Sequence, residues 1–377
     1  MASASASSSD SNVSPTQTTG VKYIGSKNKL ITFIHDALPD ECKTSPGKIL
    51  DVFTGTTRVA QSFRKRGWKV VSSDLNWASE TYANLFLMTQ YSDYPTLCYL
   101  VDVLNNLPGE SDWITTHYCD VRPIEHPDAA PIRMWSPKNG AKADAIRNKI
   151  EEWYKTGHIT DVIYNSLIAI LIFALDSVDS SVGVQQAYLK DWSSRSKTDM
   201  VLKVPDEIQY YVNLEEYSIG THITGDALLN EYPEADIAYL DPPYTTHSYA
   251  TYYHIWDSIT KWDKPEVGLR TNRRIDRIAG LDGFDESMKS PWNTKKSAKV
   301  AFETLIDRLP VKYVMISYSN ESIIPIEDLI EIATKYVEYK IHQIDYSRNI
   351  MSIIGNGANP NNNTKNIEYI ITIQKKD

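Results

Sequence analysis

Cysteine and long apolar runs are both scarce in this 377-residue sequence. Its three cysteines (Cys42, Cys98 and Cys119) stand apart from one another and from any histidine cluster, so neither a disulfide framework nor a zinc site is indicated. The most apolar segment, Leu167–Val178, is too short to span a bilayer and contains a charged residue, Asp176. We therefore expect a buried helix there, no membrane association, and a reducing cytoplasmic location.

Positive charge is also in deficit. The net charge is −9, which argues against indiscriminate binding to nucleic acid but leaves room for a local basic groove. One segment concentrates basic residues, and we call it the basic island. It contains Lys261, Lys264, Arg270, Arg273, Arg274 and Arg277, set against Asp263, Glu266 and Asp276. Arg270, Arg273 and Arg274 are the predicted phosphate contacts should the ligand be DNA.

The first twenty residues lack an apolar stretch and a basic region. They are rich in serine and alanine, which predicts a disordered tail over residues 1–20 and no secretory signal. The remainder contains 24 tyrosines and 9 tryptophans and is long enough to bury a large core. The composition predicts a folded body of one elaborated domain or two.

A GxGxxG loop is absent, although a strand–turn–helix–strand pattern is present. Ile49–Phe53 reads as a strand, Gly55 as a tight turn, Arg58–Arg66 as a helix and Lys69–Asp74 as a second strand. Without the extra glycines that admit a pyrophosphate, a ribose-bearing cofactor without phosphates is favoured over NAD. Asp74 follows Asp51 by 23 residues, close to the spacing of a ribose-binding carboxylate. An ordinary βαβ unit with solvated carboxylates is the alternative.

The most informative stretch is Asp241-Pro242-Pro243-Tyr244, after the apolar run Ile237–Leu240. Prolines cannot continue a central strand, so a rigid corner should form at the strand's carboxyl end, where open α/β sheets bind ligands. Asp241 and the Pro242 carbonyl could accept the hydrogens of an exocyclic amine, which would direct the nitrogen lone pair at an electrophile. Tyr244 could stack on the ring. In a duplex, the base would have to be flipped out. A simple strand-ending turn is the alternative.

Three further segments carry weaker signals. The turn at Gly25 opens a helix and could present amides to an anion beside Lys27, although such turns are common. Tyr188 and Lys190 lie in a run that interleaves aromatic and basic residues, which suits either nucleic-acid contact or an anchored surface loop. Asp226 follows a short strand 15 residues before the corner, which should place it on the same sheet edge.

Taken together, the ordered motifs resemble one family. YIGSKNKL, DVFTGT, Asp74, Asp226 and DPPY occur in the order typical of the S-adenosylmethionine-dependent DNA adenine-N6 methyltransferases of the Dam-like (alpha) group. The blocks SPKNGAKADAIRNKIEEW and GVQQAYLKDW are similar to the larger modification methylases of restriction–modification systems. The resemblance covers nearly all of residues 21–376.

The resemblance implies a fold and an assignment of residues. The fold would be an α/β Rossmann-like methyltransferase fold, a mixed doubly wound sheet with one antiparallel strand. Residues 21–76 and 222–377 would form the catalytic domain, and residues 77–221 an inserted, mainly helical target-recognition region. The residues expected to bind S-adenosylmethionine are Tyr23, Gly25, Lys27, Asp51, Phe53, Thr54, Gly55, Asp74, Asp226, Ala227 and Asp241. The catalytic corner would be Asp241, Pro242, Pro243 and Tyr244, and the DNA contacts Tyr188, Lys190, Arg270, Arg273 and Arg274.

The function implied is methylation of adenine N6 in a specific double-stranded DNA sequence by a monomer, paired with a cognate restriction endonuclease. Cytosine-C5 chemistry is excluded because no cysteine follows a proline. N4-cytosine methylation and a catalytically silent DNA-binding regulator stay open. RNA and protein-glutamine methylases more often carry asparagine at the position of Asp241, and an NAD oxidoreductase is a remote alternative.

Overall fold

The computed structural model describes residues 17–122, 131–185, 189, 191–212, 218–243, 249–268, 272–278, 280, 282–346 and 366–375. All structural statements below concern these residues. Within them, none of the helices combines the length and apolar character needed to traverse a lipid bilayer.

A seven-stranded sheet runs through the molecule. Its strand order is β5-β2-β1-β6-β7-β9-β8, and a separate two-stranded ribbon is formed by β3 and β4. The strands are β1 (Lys48–Asp51), β2 (Lys69–Asp74), β3 (Cys119–Val121), β4 (Ile132–Arg133), β5 (Thr221–Thr224), β6 (Ala235–Leu240), β7 (Val311–Ser319), β8 (Glu338–Tyr346) and β9 (Asn366–Gln374).

One strand of the large sheet is antiparallel to all the others. Strand β9 pairs antiparallel with both β7 and β8, while β1, β2, β5, β6 and β7 pair in parallel. The apolar alternation in Ile341–Tyr346 and Ile367–Ile373 predicts a pair of antiparallel strands. The structure confirms this pairing, with Ile341 opposite Ile371. The mixed α/β architecture matches the doubly wound fold expected from the sequence.

Helices cover both faces of the sheet. The α-helices are α1 (Ile31–Asp36), α2 (Asp40–Thr44), α3 (Arg58–Arg64), α4 (Trp77–Ala83), α5 (Asp93–Asn105), α6 (Trp113–Tyr118), α7 (Pro137–Lys155), α8 (Asp161–Ser177), α9 (Glu207–Val212), α10 (Tyr249–Tyr252), α11 (His254–Lys261), α12 (Lys295–Arg308) and α13 (Ile326–Ala333). The shorter turns of helix are a π-helix at Asn84–Met88 and 3-10 helices at Lys27–Leu30, Arg195–Lys197, Ile275–Arg277, Glu286–Met288 and Pro291–Asn293.

Alternating side chains of each strand divide between two apolar cores. In β1, Ile49 packs with α1, α3, α4 and α8, whereas its neighbour Leu50 packs with α12 and α13. The same alternation separates Ile237 from Ala238 in β6. Because successive side chains of a strand point to opposite faces, the near-continuous apolar runs of these strands are what a sheet covered on both sides requires.

The segment between β2 and β5 is mainly helical, and its buried residues join the core of the sheet. Ile146 of α7 and Leu171 of α8 belong to the same apolar cluster as Ile49 of β1. Strand β5 begins at Thr221, so the sheet resumes at the residue where the sequence placed the end of the insertion. A target-recognition role for residues 77–221 stays a prediction.

Helix α7 begins earlier than its apolar periodicity indicates. Its first residue is Pro137, and the Ser136 hydroxyl caps it by accepting from the Asn139 amide. The spacing of Ile146, Ile150 and Trp153 predicts a helix over Ala143–Tyr154 that opens with Asp144. In the structure Asp144 lies in the middle of α7. Its carboxylate accepts hydrogen bonds from the amides of Ile114 and Thr115, so it satisfies the free amides of α6 instead.

The predicted disordered tail is too long by at least four residues. Thr18 is buried, and the Thr19 amide donates to Gln61 Oε1 at 3.0 Å. The Arg58 guanidinium donates to the carbonyl of Gly20 at 2.8 Å. These contacts attach residues 17–20 to α3. The sequence did not predict this packing, because the segment is polar and contains no apolar run. Residues 1–16 lie outside the described residues.

Candidate functional site

Four loops converge at the carboxyl edge of the sheet. Strands β5, β2, β1 and β6 are neighbours in the sheet and run in parallel, so their carboxyl ends meet on one side. Asp226, Asp74, Asp51 and Asp241 follow or end these strands, and all four line one cavity of about 980 Å³, including its open mouth. This is the position at which doubly wound sheets bind ligands.

The cavity contains every residue that the sequence assigned to cofactor binding. Its lining includes Tyr23, Gly25, Lys27, Asp51, Phe53, Thr54, Gly55, Asp74, Asp226, Ala227 and Asp241, together with Pro242 and Pro243 of the corner. The residues come from segments that are far apart in the chain. Their convergence supports the assignment, and their individual roles stay predictions.

The turn after β1 is fixed by Asp74 from the end of β2. Gly55 has a φ of +50°, a conformation that suits glycine, and its amide donates to Asp74 Oδ2 at 2.8 Å. A Cβ at this position would lie 3.3 Å from the Tyr23 ring. The other oxygen of Asp74 accepts from the amide of Asn76 at 2.8 Å. The carboxylate is thus held in one orientation at the cavity wall, while burial raises its pKa.

Asp51 presents a buried carboxylate oxygen to the same cavity. Its Oδ2 accepts from the Thr54 hydroxyl at 2.8 Å and from the Ala60 amide at 3.1 Å. Its Oδ1 is buried and has no hydrogen-bond partner among the described residues. Burial raises the pKa of this carboxyl to about 7, with smaller contributions from Asp241 and Asp74. An unpaired buried acceptor is costly, so a donor from a ligand would stabilise it.

Tyrosines from the segment after the corner support the opposite wall. The Tyr23 ring stacks on Tyr253 with a centroid distance of 4.5 Å and lies 5.3 Å from Tyr249. The Ile24 amide donates to the Tyr253 hydroxyl at 2.8 Å. Helices α10 and α11 therefore fix the glycine turn at Gly25 from behind. The sequence showed an aromatic stretch here but not what it packs against.

Asp241 is paired with a buried lysine. The Lys27 ammonium lies 3.1 Å from Asp241 Oδ1 and 3.8 Å from Glu368 Oε2. Burial raises the pKa of Asp241 to about 6, Lys27 opposes this shift, and Glu368 adds to it. The lysine was predicted to serve the cofactor, and the structure places it between that region and the corner.

Several residues near the site were missed by sequence reasoning. Tyr249 lies on the wall just described, and Met288, Ser290, Trp292 and Asn293 line the mouth from the segment before α12. That segment has no motif, so sequence offered no signal. Glu368 did leave a signal, because it is the one charged residue of strand β9.

Four predicted site residues lie outside the described residues. These are Tyr244 of the corner and the DNA-contact candidates Tyr188, Lys190 and Arg270. Their roles remain predictions.

The basic island contains two buried arginines, Arg274 and Arg277, that are paired with carboxylates, while Lys261 and Lys264 are exposed. Arg274 is only 2% exposed, and its guanidinium lies 2.7 Å from Asp263 Oδ2 and 2.9 Å from Asp276 Oδ1. Its charge is already compensated by these two partly exposed carboxylates, which argues against a phosphate contact, and the role stays a prediction. Arg273 is half-buried beside Tyr252 and stays a candidate.

Comparison with known proteins points the same way as the geometry. The family model described as "D12 class N6 adenine-specific DNA methyltransferase" matches residues 23–350. The modification methylase LlaI of Lactococcus lactis subsp. lactis is 27% identical over 95% of this chain and 55% of its own length. The modification methylase StsI of Streptococcus sanguinis is 29% identical over 84% of the chain and 46% of its length.

A relative of similar size also matches. The type II methyltransferase M.NlaIII of Neisseria lactamica is 27% identical over 94% of this chain and 99% of its own length. The chain thus spans about half the length of LlaI and StsI and nearly all of M.NlaIII. The family model matches residues 23–350, from the turn at Gly25 through the corner at Asp241 to just beyond β8. The chain belongs to the D12 class N6 adenine-specific DNA methyltransferases.

Proposed function

We propose that the protein transfers a methyl group from S-adenosylmethionine to the N6 amine of a flipped adenine in a specific DNA duplex. The observation that carries this is the meeting of the corner at Asp241 with the carboxylates Asp51, Asp74 and Asp226 in one cavity. S-adenosylmethionine supplies an electrophilic methyl group on a sulfonium. Everything else in the reaction falls to the residues that bind and orient the two substrates.

The cavity suits this cofactor on chemical grounds. Asp51 Oδ1 is an unpaired buried acceptor, which fits the ammonium of an amino acid. Asp74 is held by the Gly55 amide in the position of a ribose-binding carboxylate. The DVFTGT turn lacks the glycines that admit a pyrophosphate, in agreement with a nucleoside without phosphates.

The corner supplies the acceptors for the target amine. Two prolines leave the segment after β6 without the amides to continue the ladder, so the chain turns sharply at Asp241. Its carboxylate and the Pro242 carbonyl would accept the two amine hydrogens and stabilise the positive charge that develops on nitrogen during transfer. Tyr244 is proposed to stack on the flipped base.

A direct test uses purified protein, tritiated S-adenosylmethionine and duplex DNA of mixed sequence. We expect label in the DNA and N6-methyladenine as the modified base after nuclease digestion and mass spectrometry. Label in N4-methylcytosine would show that the protein methylates the exocyclic amine of cytosine and not that of adenine. DNA binding without label would support a silent regulator, and no binding of S-adenosylmethionine would refute the proposal.

We further propose that the protein is the modification enzyme of a restriction–modification system and acts in the cytoplasm as a monomer. Sequencing of genomic DNA from cells expressing the protein, by a method sensitive to modified bases, should show one methylated sequence context. DNA from the same cells should then resist the cognate endonuclease. Scattered methylation without a fixed context would contradict this role.

Replacement of Asp74 by asparagine should weaken cofactor binding; because the new amide nitrogen would face the Gly55 or the Asn76 amide, thermal denaturation must first show that the variant is folded. Loss of one charge-assisted hydrogen bond corresponds to roughly 1.5–3 kcal/mol, or about a 10–100-fold rise in Kd measured by calorimetry. Asp102→Asn on the exposed surface of α5 is the matched control and should leave Kd unchanged. An unchanged Kd in the Asp74 variant would exclude the ribose assignment.

A further inference from the structure

Lys27 lies between carboxylates from two distant parts of the chain. Asp241 follows β6, and Glu368 lies in β9, the one antiparallel strand of the sheet. The lysine side chain is 3% exposed, and its ammonium is 3.1 Å from Asp241 Oδ1 and 3.8 Å from Glu368 Oε2. Removing three charged groups from water is expensive and is offset only when they are held in good mutual geometry.

Glu368 has no evident structural reason to be there. It is buried, it is the one charged residue of strand β9, and its Oε2 has no hydrogen-bond partner among the described residues. Such a carboxylate costs stability, and an apolar side chain would pack in the strand without that cost. Its one described ion-pair partner is Lys27. Glu368 does not line the cavity, so any effect on the ligands must pass through Lys27 or Asp241.

Among the described residues, the charged groups that act on Asp241 are Lys27, from the 3-10 helix before α1, and Glu368 from β9. Asp241 in turn acts on the titratable groups of Asp51 from β1, Tyr23 and Tyr239. The Lys27 ammonium lies on the Oδ1 side of the carboxylate, so we assign Oδ2 to the target amine. A lysine shared with a second carboxylate neutralises Asp241 only in part.

We propose that Glu368 is a positioning residue for methyl transfer. It holds the Lys27 ammonium beside one oxygen of Asp241 and partly compensates the positive charge of the lysine. The other oxygen of Asp241 then stays oriented toward the amine and remains a strong hydrogen-bond acceptor. This inference rests on the proposed function, because that function gives Asp241 a target amine to orient. It adds a residue that acts on the corner from outside the cavity.

The test compares wild type with Glu368→Gln, which keeps the size of the side chain and removes its charge. Single-turnover methylation is measured from pH 5 to 9 with cofactor and DNA saturating. Since Glu368 raises the pKa of Asp241 and Lys27 lowers it, loss of the Glu368 charge should lower that pKa. The acid-side midpoint of the rate profile should therefore move to lower pH by roughly half a unit to one unit.

Two controls separate this effect from damage to the fold. Glu338→Gln, the same change on the exposed neighbouring strand β8, should leave the midpoint in place. The Kd for S-adenosylmethionine should be equal in wild type and Glu368→Gln. A lower rate without displacement of the midpoint, or a matching loss of cofactor affinity, would show a merely structural role and overturn the inference.

A second measurement keeps the inference independent of activity. The carboxyl carbon of Asp241 can be followed by ¹³C NMR in aspartate-labelled protein and assigned by its absence in Asp241→Asn. Its titration midpoint should fall in Glu368→Gln as the rate profile does. Wild-type protein that transfers no methyl group at any pH would refute the proposed function, whereas an unmoved NMR midpoint would refute the inference alone.

Discussion

Replacing Asp241 by alanine should reduce single-turnover methylation by about 10²–10³-fold or more while DNA affinity is retained. The carboxylate interacts most strongly where positive charge develops on the amine nitrogen, so its loss raises the barrier of the chemical step rather than weakening binding. Rapid-quench measurement with tritiated cofactor gives the rate, and fluorescence anisotropy gives the affinity for DNA.

The alanine variant removes the ion-pair partner of a buried lysine, so a second variant is needed. Asp241→Asn keeps the shape and one carbonyl oxygen near Lys27, and it should fold as wild type by thermal denaturation while losing most of the activity. Asp102→Asn again serves as the neutral control. Full activity in Asp241→Asn would show that the corner only ends a strand. A silent regulator would lose nothing measurable in either variant.

Replacing Arg274 by alanine should destabilise the protein by about 2–3 kcal/mol, because Asp263 and Asp276 would lose their buried partner. Urea denaturation should show this as a lower midpoint with an unchanged slope. The salt dependence of DNA binding should not change, since this guanidinium does not reach solvent. Burial and ion pairing thus argue against the phosphate contact that the sequence suggested, and the salt dependence tests it.

The matched comparisons come from the same island. Lys264→Ala breaks an exposed ion pair with Asp112 and should cost less than about 1 kcal/mol. If Arg273 contacts a DNA phosphate, Arg273→Ala should reduce the slope of log K against log salt by about one. A folded Arg274 variant with a reduced salt slope would restore Arg274 as a phosphate contact.

The motifs located the cavity because each of them has a local physical cause. Consecutive prolines after Leu240 must end a central strand, and Gly55 permits a left-handed turn at the end of β1. Parallel strands then bring their carboxyl ends to one edge, which is why Asp51, Asp74, Asp226 and Asp241 could be expected together. The antiparallel strand β9 was also readable, from alternation in its apolar pattern.

The basic island shows where this reasoning stops. The charges of Arg274 and Asp263 were visible in the sequence, but whether such a pair lies in solvent or inside the protein depends on the packing of α11 and the 3-10 helix Ile275–Arg277 against α4. The packed residues 17–20 are a similar case, because their hydrogen-bond partners lie on α3, about 40 positions away.

The sequence by itself determined the chemistry of this protein: a proline-braced carboxylate after a buried strand, and a glycine turn that excludes a pyrophosphate. These features follow from backbone geometry within a few residues. Only the tertiary structure decided which charges work together, because a contact such as Lys27 with Glu368 joins residues more than 300 positions apart. The energy of a charge depends on its burial and its partners, and neither is written in the local sequence.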